Sequence, residues 1–387
     1  MKLIHIFSAP QSAYFFMNGQ LDYMISKGMD VTVIMPFDIE FNNKFKIKQP
    51  NVKVINVNFE RNISVKVDLK CLFKLITVFR KVKPDIIHLH TPKASLLGAL
   101  AARFLLKKNI IYQMHGLVSA SGNRVQKGLL YYMEKFTCNL STLIFAVSES
   151  LKDFAVEHKF CKQNKISVIE NGTINGIDFQ KQFNPENIQR TNAVFNKMNT
   201  EKFVIGFVGR LVKDKGIEDY LKILSKCKEN QLSTVGVVIG PDESEGDFSA
   251  LLKKHNLIEN EDVIVLGQQL EPQKFMIYFD VLLLPTKREG FGLVGAEANA
   301  LKIPVVGYDI PGFRDAVKNN ETGLLVKFED THELFNAIIK YYKSPDLKRQ
   351  HGNNGRKRVI RDFKPEHIWQ ALLLEYQLLV NKKGVEV

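Results

Sequence analysis

Short runs of β-branched and aliphatic residues alternate along the chain with longer segments of helical period. KLIHIF, VTVIM, VKVINV, DIIHLH, IIYQMH, STLIFAV and ISVIE read as strands, and the stretches after most of them have helical length and spacing. Strand, helix and strand in repetition is the pattern of a doubly wound parallel sheet. A polar stretch rich in Asn, Gln and Lys follows at 180–200, and the pattern then restarts: FVIGFVGR, VGVVIG, VIVLG, DVLLLP and PVVGYD supply a second set of strands. The expected fold class is therefore α/β, with doubly wound domains at 1–180 and 181–364. From Pro365 to about Leu379 the chain reads as an amphipathic helix following the basic run HGNNGRKRVIRDF, and the 365–387 segment is expected to pack back on the first domain.

The totals agree with two domains. A length of 387 residues suits two of nearly equal size, and 45% hydrophobic with 25% charged residues is the balance of a soluble globular protein. MKLIHIFSAP runs straight into a strand and lacks the features of a secretory signal, so no export is expected. The longest apolar stretch, 94–106, is interrupted by Arg103 and falls short of the roughly 20 residues a bilayer span requires. Cys71, Cys138, Cys161 and Cys227 are far apart and form no CxxC pair, which argues against a zinc knuckle or redox dithiol. Buried, reduced thiols and a cytoplasmic setting are expected.

Charge sharpens the picture. The net charge is +13, and residues 1–180 hold 24 Lys/Arg against 13 Asp/Glu, whereas the remainder holds 30 against 28. Such asymmetry points to an anionic partner: nucleic acid, an acidic membrane surface or a phosphate-bearing substrate. It also suits a solvated surface tuned for solubility. No nucleic-acid-binding signature is present and aromatic residues are not interleaved with the basic ones, so nucleic acid is not the expected partner.

Ligands of open parallel sheets bind beyond the carboxyl ends of the strands. In FVGRLVKDKG a strand runs into a loop carrying Gly209, Arg210, Lys215 and Gly216, with a helix from near Ile217. Glycines allow close backbone approach, a helix N-terminus attracts anions, and two cations suit a diphosphate. A solvated basic turn has the same composition. In LLLPTKREGFGLVGAEANA, Glu289 falls in a Gly-rich loop and Glu297 about one turn into the next helix. They read equally as an exposed loop acid and a wet helix face, although GAEANALKIP is otherwise small and apolar. A carboxylate there is suited to paired hydroxyls such as those of a ribose.

GRLVKDKG, the element from Glu289 to Glu297, GYDIPGFRDAV and ETGLLV, together with KPDIIHLHTPKASLLGALAA, MHGL, FAVSES and IENGTINGIDF, closely resemble glycosyltransferase family 4 over nearly the whole chain. The resemblance implies the GT-B fold, two Rossmann-like domains facing across a cleft, with acceptor bound by the first and nucleotide sugar by the second. It implies that Arg210 and Lys215, beside Gly209, hold the donor diphosphate and that Glu297 binds the ribose. Glu289 would contact the donor sugar beside the reacting carbon, with the backbone at Phe291, Gly292 and Leu293 close to sugar and phosphates. His115 would face the sugar from the first domain. Transfer would retain anomeric configuration, with no cofactor and no metal; the acidic run PDESEGD at 241–247 reads as an exposed connection rather than a metal clamp.

One departure is SAPQSAYFF, where many members carry Gly-Gly after the first strand. With this loop the chain is similar to the subgroup acting on polyprenyl-diphosphate-linked sugars in capsule and surface polysaccharide assembly. The implied partners are a UDP-sugar, N-acetylated hexosamine or deoxy-hexosamine, a lipid-linked saccharide acceptor and the inner face of the cell membrane, to which the enzyme would bind peripherally. Lys66, together with Lys70 and Lys74 in VDLKCLFKLITVFRKVK, suits such a surface, although the segment's apolar side also suits a core. A nucleotide-sugar 2-epimerase, a catalytically silent sugar-nucleotide sensor and a basic nucleic-acid-binding protein are the rival readings.

Overall fold

A computed structural model describes residues 1–60, 62, 64–116, 124–189, 201–243 and 248–381, side chains of 124–127 excepted. Residues 190–200 of the polar stretch, Leu117 of MHGL, residues 244–247 of PDESEGD and the tail beyond Asn381 lie outside these. The chain divides into two compact units: Met1–Gly176 with Pro365–Val387, and Ile177–Lys364.

In the first unit, β1 (Lys2–Ile6), β2 (Asp30–Met35), β3 (Lys53–Asn56), β4 (Ile86–Leu89), β5 (Ile110–Met114), β6 (Leu143–Ala146) and β7 (Ile166–Val168) form a sheet in the order β3-β2-β1-β4-β5-β6-β7. Every pairing is parallel. Residues of β4 and β5 are buried throughout, which is why these strands read as continuous apolar runs rather than alternating ones. The helices are α1 (Pro10–Phe16), α2 (Gln20–Ser26), α3 (Ile39–Lys48), α4 (Val65–Val82), α5 (Pro92–Phe104), α6 (Arg124–Leu140) and α7 (Glu149–Glu157). Helix α4 carries two apolar stripes. Cys71, Leu75, Ile76 and Phe79 are buried, whereas Val65, Leu69 and Phe73 are 71%, 48% and 65% exposed.

In the second unit, β8 (Phe203–Val208), β9 (Thr234–Ile239), β10 (Val263–Val265), β11 (Val281–Leu284), β12 (Val305–Tyr308) and β13 (Gly323–Val326) are ordered β10-β9-β8-β11-β12-β13, again all parallel. Its helices are α8 (Ile217–Glu229), α9 (Phe248–Lys254), α10 (Gln273–Met276), α11 (Leu293–Ala300), α12 (Phe313–Ala316), α13 (Thr331–Lys343) and α14 (Pro345–Asp362). The basic run HGNNGRKRVIRDF is thus the body of a helix. Its Arg356 donates to the carbonyls of Phe179, Phe183 and Ala300, and Arg358 to those of Asp315 and Ala316.

The last helix, α15 (Pro365–Asn381), belongs to the first unit. Trp369 Nε1 donates to Asn175 Oδ1 at 2.6 Å, and the Trp369 ring packs on Tyr23 of α2 with centroids 5.6 Å apart. Cys71, Cys138 and Cys227 are buried as expected, but Cys161 is only half-buried, and all four thiols are free. No helix among the described residues is long and apolar enough to cross a membrane.

Each sheet reverses its strand order once, between β1 and β4 and between β8 and β11. Such switch points open a crevice at the carboxyl ends of the two strands, the place where doubly wound sheets bind ligands.

Candidate active site

After β8 the chain passes through Gly209 and Arg210 into a single tight turn, Lys213–Lys215, and reaches Gly216 at the N-terminus of α8. Gly216 has φ +78°, and a Cβ there would stand 1.9 Å from the Pro285 carbonyl oxygen. Only glycine satisfies both constraints, and the contact seats the loop after β8 against the end of β11. The two loops are fastened further: the Lys287 amide donates to Asp214 O at 2.9 Å, and Arg288 Nη2 lies 3.1 Å from Asp214 Oδ2.

On this frame Lys215 Nζ sits 2.6 Å from Glu289 Oε1, both side chains largely covered. Arg210 does not share that contact. Its Nη1 donates to Glu243 Oε2 at 3.0 Å, with both groups well exposed, so this part of the acidic run is held by an ion pair rather than loose. Phe291 is buried edge-on to Phe363, with centroids 5.1 Å apart. Gly292, at φ +81°, starts α11, and a Cβ there would meet the Phe313 ring at 2.5 Å. No side chain among the described residues caps this helix, and the amides of Gly295 and Ala296 are bonded back to Gly292 O. Leu293 therefore opens a helix whose leading amides and dipole suit an anion.

Glu297 is the fifth residue of α11 and half-buried. Burial pushes its carboxyl up to about 7, and it accepts no side-chain hydrogen bond among the described residues. A carboxyl so placed gains most from a ligand that brings hydroxyl donors.

In the first unit the SAPQSA loop closes on the start of α5. The Ser8 amide and Oγ lie 2.6 and 2.8 Å from Thr91 Oγ1, and helix α1 begins two residues later at Pro10. His115 follows β5, its ring stacked on Phe16 (5.1 Å, 20°) and tilted against His90 (5.5 Å, 42°). Burial pushes the His115 imidazole down to about 3, so it is neutral at pH 7. Its Nε2 has no protein partner among the described residues.

The structure thus brings Lys215 and Glu289 into contact, places Gly209, Arg210, Phe291, Gly292, Leu293 and Glu297 along the two loops and the helix around them, and puts His115 in the other unit. Asp214, Arg288 and Glu243 were absent from the sequence reading. The signal was present in KDK and KREG, where an acid precedes one site residue and a base precedes the other.

Comparison with known proteins bears on this arrangement. Residues 20–174 match the family model described as Glycosyltransferase Family 4, and residues 189–358 match that of Glycosyl transferases group 1. The capsular polysaccharide biosynthesis glycosyltransferase CapM of Staphylococcus aureus is 34% identical over 384 residues, 98% of each chain. The chain belongs to glycosyltransferase family 4. A further relative is the UDP-Gal:alpha-D-GlcNAc-diphosphoundecaprenol alpha-1,3-galactosyltransferase of Escherichia coli, 26% identical over 306 residues, 78% of each chain. Among solved structures, Anabaena Alr3699/HepE in complex with UDP-glucose superimposes with a TM-score of 0.77 at 18% identity, covering 97% of this chain and 99% of that one. Such likeness establishes the GT-B fold for this family 4 enzyme, with its two Rossmann-like domains.

Proposed function

We propose that this glycosyltransferase moves an N-acetylated hexosamine or deoxy-hexosamine from a UDP-sugar onto a lipid-linked saccharide in capsule or surface polysaccharide synthesis, with retention and without a metal. The observation that carries the donor reading is the Lys215–Glu289 contact beside the uncapped start of α11, at the β8/β11 switch point. The acceptor reading rests on relatives: a capsular enzyme, and one whose name specifies GlcNAc-diphosphoundecaprenol.

In this reading the second unit holds the donor. The diphosphate takes Lys215 and Arg210 from their acidic partners, each charge-assisted bond supplying about 1.5–3 kcal/mol. Gly209 and the backbone of Phe291, Gly292 and Leu293 let the phosphates approach closely, and Glu297 accepts from the ribose hydroxyls. Glu289, released from Lys215, accepts from the sugar. As the bond from the anomeric carbon to the phosphate oxygen breaks, the acceptor oxygen bonds to the same face and its proton passes to the departing phosphate. Lys215, Arg210 and the helix end stabilise the charge that develops on the diphosphate. The first unit takes the acceptor, with neutral His115 offering a hydrogen bond without adding a charge.

The exposed stripe of α4 supports peripheral docking on an anionic membrane. Val65, Leu69 and Phe73 recur every four residues beside Lys66, Lys70 and Lys74, the arrangement of an interfacial helix.

Calorimetric titration with UDP, GDP and ADP, followed by transfer from labelled UDP-N-acetylhexosamines to an undecaprenyl-diphosphate-linked saccharide, tests the proposal. Selective UDP binding and a chelator-insensitive product with the donor's anomeric configuration are expected. No binding of any nucleoside diphosphate removes the donor site, and an inverted product removes retention. Normal turnover in His115→Ala removes that residue from the reaction.

A further inference from the structure

The sequence holds no CxxC pair, but the fold brings two cysteines together that β6 and α7 separate along the chain. Cys138 lies in the last turn of α6, on the same face as Tyr131 and Glu134, and Cys161 lies in the connection from α7 to β7. Contacts on either side fasten that connection to α6. Tyr131 Oη donates to His158 O at 3.1 Å and its ring packs on Phe160 with centroids 4.7 Å apart, while Lys165 Nζ donates to Asn139 O at 2.9 Å. Between them the thiols of Cys138 and Cys161 are hydrogen-bonded to each other. Glu134 is bonded to Tyr112 of β5, so α6 is fixed to the sheet as well.

The two thiols are unequal. Cys138 is sealed at 0% exposure, whereas Cys161 is half-buried and within reach of small solutes. The hydrogen bond donated by Cys138 and the nearby Lys165 ammonium push the Cys161 thiol down, and the same hydrogen bond, with burial, pushes Cys138 well up. Cys161 is therefore the sulfur that ionises, and the thiolate is the nucleophile. The remaining cysteines differ: burial pushes both Cys71 and Cys227 up, Cys227 to about 12.

We propose that Cys161 and Cys138 are a peroxide-sensitive dithiol, Cys161 the attacking and Cys138 the resolving sulfur, which closes to a disulfide between α6 and the segment ahead of β7. The Cys161 thiolate attacks one oxygen of hydrogen peroxide; the O–O bond breaks, the sulfur keeps a hydroxyl as sulfenic acid, and the departing hydroxide takes a proton to leave as water. With the thiolate gone, Cys138 loses the main partner that holds its proton. Its sulfur then attacks the Cys161 sulfur, the S–S bond forms as the S–O bond breaks, and the Cys138 proton leaves with the hydroxide as a second water. Two thiols are oxidised by two electrons and the peroxide is reduced by two. Because Cys161 sits in neither helix nor strand, its backbone can follow the approach of the sulfurs to about 2.0 Å. The pair stands apart from sugar transfer and does not depend on the donor or acceptor assigned above.

The test treats the full, reduced chain with hydrogen peroxide in reductant-free buffer, quenches it at intervals with an alkylating agent under denaturing conditions, and maps the cysteines by mass spectrometry. A Cys138–Cys161 linked peptide from within one chain is expected, reversed by dithiothreitol, with Cys161 reacting at least about tenfold faster than Cys71 or Cys227. In Cys138→Ser, a sulfenic acid trapped by dimedone should accumulate on Cys161; in Cys161→Ser, Cys138 should stay reduced. Circular dichroism checks that both variants are folded. A wild-type chain in which Cys161 passes to sulfinic acid while Cys138 remains a free thiol overturns the proposal. Oxidation of Cys161 no faster than that of Cys71 and Cys227 overturns it too.

Discussion

The two units build the same topological position in opposite ways. At the β8/β11 crossover the groups are charged and paired with counter-ions: Lys215 with Glu289, both largely covered, Arg288 with Asp214, partly exposed, and Arg210 with Glu243, well exposed. At the β1/β4 crossover they are neutral, aromatic and sealed, with His90 stacked on Phe7 at 4.3 Å and on His88 at 4.3 Å. Sheet topology decides where a crevice opens; the residues just past the strands decide what it will accept. Solvent-accessible ion pairs are worth about 0–1 kcal/mol and exchange readily for a ligand's phosphates. A buried ring stack cannot be rearranged so cheaply, which fits a part that holds rather than one that grips and releases.

The largest effect that would break this contrast is on turnover. Lys215→Ala and Arg210→Ala should each lower kcat about 10²-fold or more while leaving the melting temperature nearly unchanged, as measured by UDP release and thermal denaturation. Near-normal rates in both would remove the charged crevice from the reaction. Next, Gly216→Ala forces a side chain into a left-handed position against Pro285 O and should destabilise the protein by about 1–3 kcal/mol, read from denaturant unfolding. Unchanged stability would mean that the two loops are not fastened there.

A pH experiment sharpens the comparison. Because the Glu297 carboxyl is raised to about 7, its ionised fraction grows about tenfold between pH 6 and 8, and UDP affinity should rise with it. The same shift means that this group's contribution to the stability of the free enzyme declines as pH climbs from about 4.5 through 7. Glu297→Gln should flatten the calorimetric pH profile relative to wild type; an identical profile would exclude Glu297 from the ribose site. The smallest effect expected is from Glu243→Gln. Freeing Arg210 from an exposed ion pair should tighten UDP binding no more than about fivefold, and weaker binding would show that Glu243 assists the donor instead.

Alternation of strand and helix made the fold legible. Buried parallel strands such as VTVIM and IIYQMH have few other readings, and FVGRLVKDKG announces its loop and helix. GLLV, which became β13, is four residues long and opens with glycine, too little to read as a strand. The site was less legible because its contacts are distant in sequence: Lys215 and Glu289 are 74 residues apart, and nothing local indicates that they touch. Nothing in the basic run before α15 indicates that Arg356 and Arg358 spend their donors on internal carbonyls. The histidines of KLIHIF and DIIHLH look like isolated polar interruptions until strand register sets them side by side.

The return of α15 to the first unit has a consequence for biosynthesis. Residues 177–364 are contiguous and can collapse as soon as they leave the ribosome, whereas the unit synthesised first lacks Trp369 and Tyr376 until the whole second unit has been made. The N-terminal half therefore waits, incomplete, through the synthesis of the entire second unit. A stop codon between residues 364 and 376 would accordingly damage the unit built from residues 1–176 rather than the one just completed.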